Sequence, residues 1–204
     1  MVCLPGRLPR PTFFPLASIP LTAWTNARFV CAWVAAAIVA ACGPAFNWRE
    51  APITGTSLVA LFPCKPQSAS RVAALGGKDV ELTMTGCDTA GVTLAVGHAT
   101  IADPALRDPV LAQWRAATLV SMRAKTTTLA ALRLESATPS PQSVLVNAVG
   151  TQPDGRAVVL QAAWFTRGTE VFVALLYGDA QNDALIGASG DQVKEAFFSG
   201  LKFR

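Results

Sequence analysis

RAVVLQAAWF, residues 156–165, and EVFVALLY, residues 170–177, are two long apolar runs separated by Thr166-Arg167-Gly168-Thr169. Neither alternates. Ala157-Val158-Val159-Leu160 and Val171-Phe172-Val173-Ala174-Leu175-Leu176 place apolar side chains on both sides of an extended chain, as strands covered on both faces do. Both runs therefore belong in the middle of a sheet. A layered domain follows, rather than a sheet with one wet face.

Working outward, residues 143–149 read as a strand that enters this pair through Gln152-Pro153-Asp154-Gly155, where Pro presets φ and Gly supplies a positive one. Further upstream, Val80-Glu81-Leu82-Thr83-Met84-Thr85 alternates strictly. Val92-Thr93-Leu94-Ala95-Val96 alternates again and continues to about Ile101. With residues 86–91 as the turn, these two period-2 runs predict an antiparallel hairpin. Residues 57–62 form a short apolar strand stopped by Pro63-Cys64-Lys65-Pro66, and residues 67–77 read as irregular.

Two helices complete the pattern. Asp103-Pro104 and Asp108-Pro109 are both helix-start signals, an acidic cap followed by Pro at the first helical position. The helix should run to about Ala124, with Val110, Leu111, Trp114, Ala117, Thr118 and Met122 on one side. Near the C-terminus, a polar loop over residues 178–190 leads to Ser189 and Gln192, which fit a capping box. Val193, Ala196, Phe197 and Leu201 then follow helical spacing, Gly200 stops the helix, and Phe203 is left to pack near the sheet. Between these parts, Thr126-Thr127-Thr128 disfavours helix, Leu132 and Leu134 suit a short strand, and residues 136–141 read as loop. The fold class is α+β, a mostly antiparallel sheet with helices on both faces.

That order of elements resembles the PsbP-like α/β/α sandwich of photosystem extrinsic subunits and of small bacterial secreted proteins and lipoproteins. The residues carrying the resemblance are the opening strand from Leu58 to its proline Pro66, the Pro153-Asp154-Gly155 hairpin, and Ala196-Phe197-Phe198-Ser199-Gly200-Leu201. It covers residues 57–204, read here as one domain. A catalytic motif is not shared in that superfamily, so the resemblance implies a binding or assembly role.

The N-terminal part carries a different signal. Residues 29–42 are an apolar run entered from Arg28 and closed by Val39-Ala40-Ala41-Cys42. A branched residue, two small residues and a cysteine resemble the lipobox of bacterial lipoprotein signal peptides. The resemblance implies cleavage before Cys42 and lipidation of Cys42, with residues 1–41 as leader and residues 42–56 as tether and entry. Gly43 stands where Asp commonly signals inner-membrane retention, so an outer-membrane, periplasm-facing location is implied. A leader of 41 residues exceeds the usual ~15–30, which favours a translation start further along the chain. The alternative is a single-pass inner-membrane anchor. Residues 29–41 would make only ~20 Å of helix against roughly 30 Å of hydrocarbon.

Charge excludes one class of partner. Of the 17 Lys and Arg, Arg7, Arg10 and Arg28 precede Cys42, where there is no Asp or Glu, so the remainder carries a net +1. Its cations are scattered singly, and no nucleic-acid footprint exists. Cys3 and Cys31 leave with the leader. Cys64 and Cys87 remain as an even pair in an oxidising compartment, and a disulfide between them is expected. They lack a Cys-x-x-Cys spacing, so a redox role is not expected.

His98 is the sole histidine and falls in phase with Val92, Leu94 and Val96. It reads as a satisfied structural histidine. An enzymatic site around it would recruit Asp103 or Asp108, neither at a motif spacing. No nucleophile elbow, His-Glu-x-x-His, P-loop or dinucleotide fingerprint is present, and one histidine with a paired set of cysteines leaves zinc without ligands. The reading is a non-enzymatic envelope lipoprotein without cofactor or metal. Its partners are the membrane, through the lipid, and an envelope protein or peptide.

Overall fold

Strands dominate the computed structural model, which describes residues 46–204. The leader, the apolar run before Cys42, and Cys42 with Gly43 lie outside the described residues. Chain order is β1 (Arg49–Pro52), β2 (Leu58–Phe62), β3 (Gln67–Leu75), β4 (Lys78–Thr89), β5 (Val92–Thr100), α1 (Pro104–Ser121), β6 (Thr126–Ala131), β7 (Val144–Thr151), β8 (Ala157–Arg167), β9 (Glu170–Asp179), α2 (Gly187–Ser199) and β10 (Lys202–Phe203). The class is α+β, and every strand pairing is antiparallel.

The seven-stranded sheet has the order β3-β4-β5-β9-β8-β7-β6. The two unalternating runs are β8 and β9, and β9 is the central strand. Alternate residues of this sheet supply two cores. Val96, Phe165, Phe172 and Ala174 pack with Leu58, Phe62, Val193 and Phe197 in one cluster. Val146, Trp164, Val171 and Val173 pack with Val110, Leu111 and Trp114 in the other. Gly97 makes room for the second cluster: a Cβ there would stand 3.1 Å from Trp114 Cζ2 and 2.4 Å from Met84 Sδ.

A three-stranded sheet, β1-β2-β10, joins the two ends of the described chain. Glu50 of β1 receives hydrogen bonds from Lys202 and, at 3.2 Å, from Arg204 Nη2. Ile53 is fully buried and Trp48 packs partly buried against the first cluster, so part of the stretch read as tether belongs to the folded domain. The Cys64–Cys87 disulfide, with Cα atoms 6.0 Å apart, fastens the end of β2 to β4 of the larger sheet.

Several expectations need correction. Residues 67–75 are not irregular but form β3, an edge strand with almost no buried face and hence no period to read. Its register on β4 is held by backbone pairing and by Ser68–Thr85 and Ser70–Thr83 hydroxyl bonds of 2.7 and 2.8 Å. Gly86 is not in a turn: β4 passes through it, and a Cβ there would meet Leu94 O at 2.6 Å. Close strand approach, not chain reversal, is why glycine stands there.

Asp103 caps α1 as expected, accepting from Ala105 N at 2.9 Å. The second start signal is overridden, because α1 continues through Pro109. The missing N–H costs a helical bond, offset by burying Val110, Leu111 and Trp114 on one continuous face. Ala117, placed on that face from sequence, is exposed. The capping box at Ser189 does not form either. Helix α2 begins earlier, with Ile186 at the cap and no side-chain cap bond. Gly190 lies so close to Leu185 that a Cβ would be 2.2 Å from its carbonyl carbon, which folds the first turn onto the preceding chain. Finally, the strand after α1 is β6, residues 126–131, and Leu132 and Leu134 lie beyond it, partly buried against the first cluster.

Candidate functional site

The connection from β6 to β7, residues 132–143, is a long excursion rather than a turn. Leu132 N bonds to Ser143 O at 3.3 Å, closing its base. Its middle is pinned to the end of β8 and the turn after it, where Thr138 N donates to Thr166 O at 2.7 Å and Thr138 Oγ1 accepts from Gly168 N at 3.1 Å. Ser140 Oγ donates to Asp108 Oδ1 at 2.5 Å and Arg115 Nη2 to Gln142 Oε1 at 2.8 Å, so α1 holds the far side.

Two concavities result. One, of about 310 Å³, lies within the excursion over Phe165, between Leu132, Leu134, Thr138 and Ser143. The other, of about 430 Å³, lies between Arg133, Glu135, Phe198, Lys202 and Phe203. Arg133 and Leu134 line both, so the cavities adjoin. Their floor is an aromatic group: Phe165 stacks on Phe172 with centroids 5.1 Å apart, and Phe203 meets both edge-on at 6.0 and 5.7 Å. Arg167 lies over the Phe203 ring at 4.4 Å, a cation–π contact. Ser143 Oγ is buried without a hydrogen-bond partner.

The rim carries charges of both signs, Arg133 and Lys202 against Glu135. Lys202 is engaged by Glu50, while Arg133 makes no ion pair among the described residues. Beside the aromatic floor, Glu170 opposes Arg167 in the β8–β9 register. Desolvation pushes its carboxyl above the usual range, and the Arg167 charge partly counters this. What such a site can do is bind: apolar contact below, a guanidinium and hydroxyls above.

His98 is elsewhere. It pairs with Phe172 and Thr83 in register and sits beside Gly55, with its ring centroid 6.1 Å from that of Phe172. It is buried, as its phase implied, and the Thr54 backbone approaches its ring without a hydrogen bond of good geometry at either nitrogen. Burial lowers its pKa below the ordinary 6.5, and the Thr54 backbone and Glu81 charge oppose that shift more weakly. Asp103 and Asp108 are occupied at the helix cap and at Ser140, so the His98–Asp arrangement is not assembled. Among the described residues no three His, Cys, Asp or Glu side chains cluster as metal ligands, and no helix is long and apolar enough to cross a membrane.

Sequence reasoning found the disulfide and the core position of His98 but missed the cavities. The one available signal was the stretch at residues 132–143, read as a short strand at Leu132 and Leu134 followed by loop, too long for a tight turn between strands. No known family model and no curated protein sequence matches this chain.

Proposed function

We propose that this chain is a lipid-anchored, periplasm-facing binding module of the bacterial envelope, tethered through Cys42 and without a catalytic site. Its domain is read as a PsbP-like α/β/α sandwich, with α1 and α2 on opposite faces of the larger sheet. The two separate core clusters, each containing residues of one helix, support that arrangement. The observation that carries the binding reading is the pair of adjoining cavities over Phe165 and Phe203, with Arg133 on both rims. An aromatic floor with an unpaired guanidinium suits a polypeptide segment presenting an apolar side chain and a carboxylate. The Cys64–Cys87 bond supports the oxidising compartment.

Two experiments test the two halves. Expression in a Gram-negative host should give an intact mass starting at Cys42 plus acyl chains, in the membrane fraction. Cys42→Ala should abolish both, and an unchanged mass and fraction in that variant would overturn the anchor. For the site, a photo-crosslinker at Ser136 should capture an envelope protein whose yield falls strongly with Arg133→Glu and with Leu134→Arg. A yield indifferent to both substitutions would remove the cavities from the function.

A further inference from the structure

The larger sheet ends on β6, Thr126-Thr127-Thr128-Leu129-Ala130-Ala131, which pairs with β7 alone. Its free edge has a definite chemistry. Leu132 donates to Ser143, and in an antiparallel ladder such bonded pairs recur at every second residue. Thr126, Thr128 and Ala130 therefore bond to β7. The N–H and C=O groups of Thr127, Leu129 and Ala131 point outward along the edge. All six side chains are exposed, and Leu129 is 58% exposed.

Exposed edges are commonly blunted by a charge, a proline or a bulge. The opposite edge, β3, carries Arg71 at its centre. Within β6 there is no charge, no proline and no glycine, and its Thr-rich sequence favours an extended partner. Cations stand at its two ends instead: Lys125 directly before the strand and Arg133 two residues after it, both exposed.

We infer that β6 is a docking rail for an extended peptide that adds an antiparallel strand, with small or β-branched residues at its centre and acidic residues at its ends. The flanking charges select this occupant. A second copy paired antiparallel about Leu129 would bring Lys125 of each molecule to the Arg133 end of the other, cation against cation at both ends. An acidic-ended strand meets attraction at both. The inner end of the rail also opens on the cavity lined by Ala131 and Arg133, so rail and cavity are continuous. This inference rests on the binding reading above and specifies the form of the partner.

The test uses the full chain, held in detergent micelles, and two synthetic peptides of alternating Thr and Val, one with Glu at each end and one with Lys. In the free protein the amides of Thr127, Leu129 and Ala131 should exchange rapidly and those of Thr128 and Ala130 slowly. The Glu-ended peptide should slow the first three and bind about tenfold more tightly than the Lys-ended one. Leu129→Pro should abolish binding, since the N–H it removes faces outward. Lys125→Glu, a surface change, should narrow or invert the preference between the two peptides. Leu134→Arg, within the cavity, should leave amide protection intact, so failure of the cavity and failure of the rail are distinguishable. Equal binding of both peptides, or no protection at Thr127, Leu129 and Ala131, overturns the inference. So does a peptide-free dimer that Leu129→Pro dissolves, which would make the occupant a second copy.

Discussion

Opening the Cys64–Cys87 bond should cost this domain a measurable and calculable part of its stability. The two cysteines are 23 residues apart, and the chain-entropy treatment of a loop that size gives about 3 kcal/mol at room temperature. A domain of roughly this length loses about 2–4 °C of Tm per kcal/mol, so the expected drop is about 6–12 °C. The structure adds a reason for the loss to be local in origin. Cys64 follows β2, and β2 belongs to the small sheet that buries Leu58 and Phe62 against the larger one. The reduced chain must therefore order a longer free segment before that core closes. Far-UV circular dichroism melts of the protein, with and without reductant and beside a Cys64→Ala/Cys87→Ala variant, provide the assay. Reductant should lower the wild-type midpoint by that amount and leave the variant unmoved. A reduced wild type melting within about 2 °C of the oxidised form would refute the loop-constraint reasoning. Thiol titration of the unreduced, denatured protein should find neither cysteine reactive.

Other perturbations have equally definite outcomes. Phe197 is fully buried between β2 and the central strands, and Phe197→Ala should cost about 3–5 kcal/mol in chemical denaturation. Gly150→Ala would set a Cβ 2.1 Å from the Met122 carbonyl oxygen, itself the acceptor for Thr151 N; backbone must shift, and about 1–3 kcal/mol of destabilisation is expected. His98 makes stability depend on pH. Its folded pKa lies below the ordinary 6.5 because burial disfavours the charge, so the unfolded chain takes up the proton first. Stability from this group is full above about pH 6.5 and declines as pH falls toward the folded value. His98→Phe should flatten that part of the profile, and an unchanged slope would show that His98 does not titrate as argued.

Much of the sheet was legible in order, and the reason is visible in its central strands. Val158 to Leu160 and Val171 to Leu176 are covered on both sides, and continuous burial writes itself into composition. The hairpin of β4 and β5 was legible for the complementary reason, since one half-exposed face of β4 imposes alternation. Edge strands carry no such record. Strands β3 and β6 face solvent on nearly every residue, so no selection for buried faces marks them, and only backbone pairing reveals them. Helix limits depart from local signals where packing overrides them: Pro109 stays inside α1 because its neighbours are buried, and α2 starts before Ser189 because Gly190 closes on Leu185.

The same division separates the chemistry. By itself the sequence determined the class of fold, the cysteine pairing and the inward phase of His98, since each depends on period, parity or count. Tertiary structure alone decided that His98 lies apart from Asp103 and Asp108, that Arg133 borders two cavities, and that residues 126–131 form a free edge. Those facts depend on which segments meet across long stretches of chain, as where Thr138 pairs with Thr166 and Glu50 with Lys202. Local pattern holds no information about such meetings, because they are fixed by how the two cores fill.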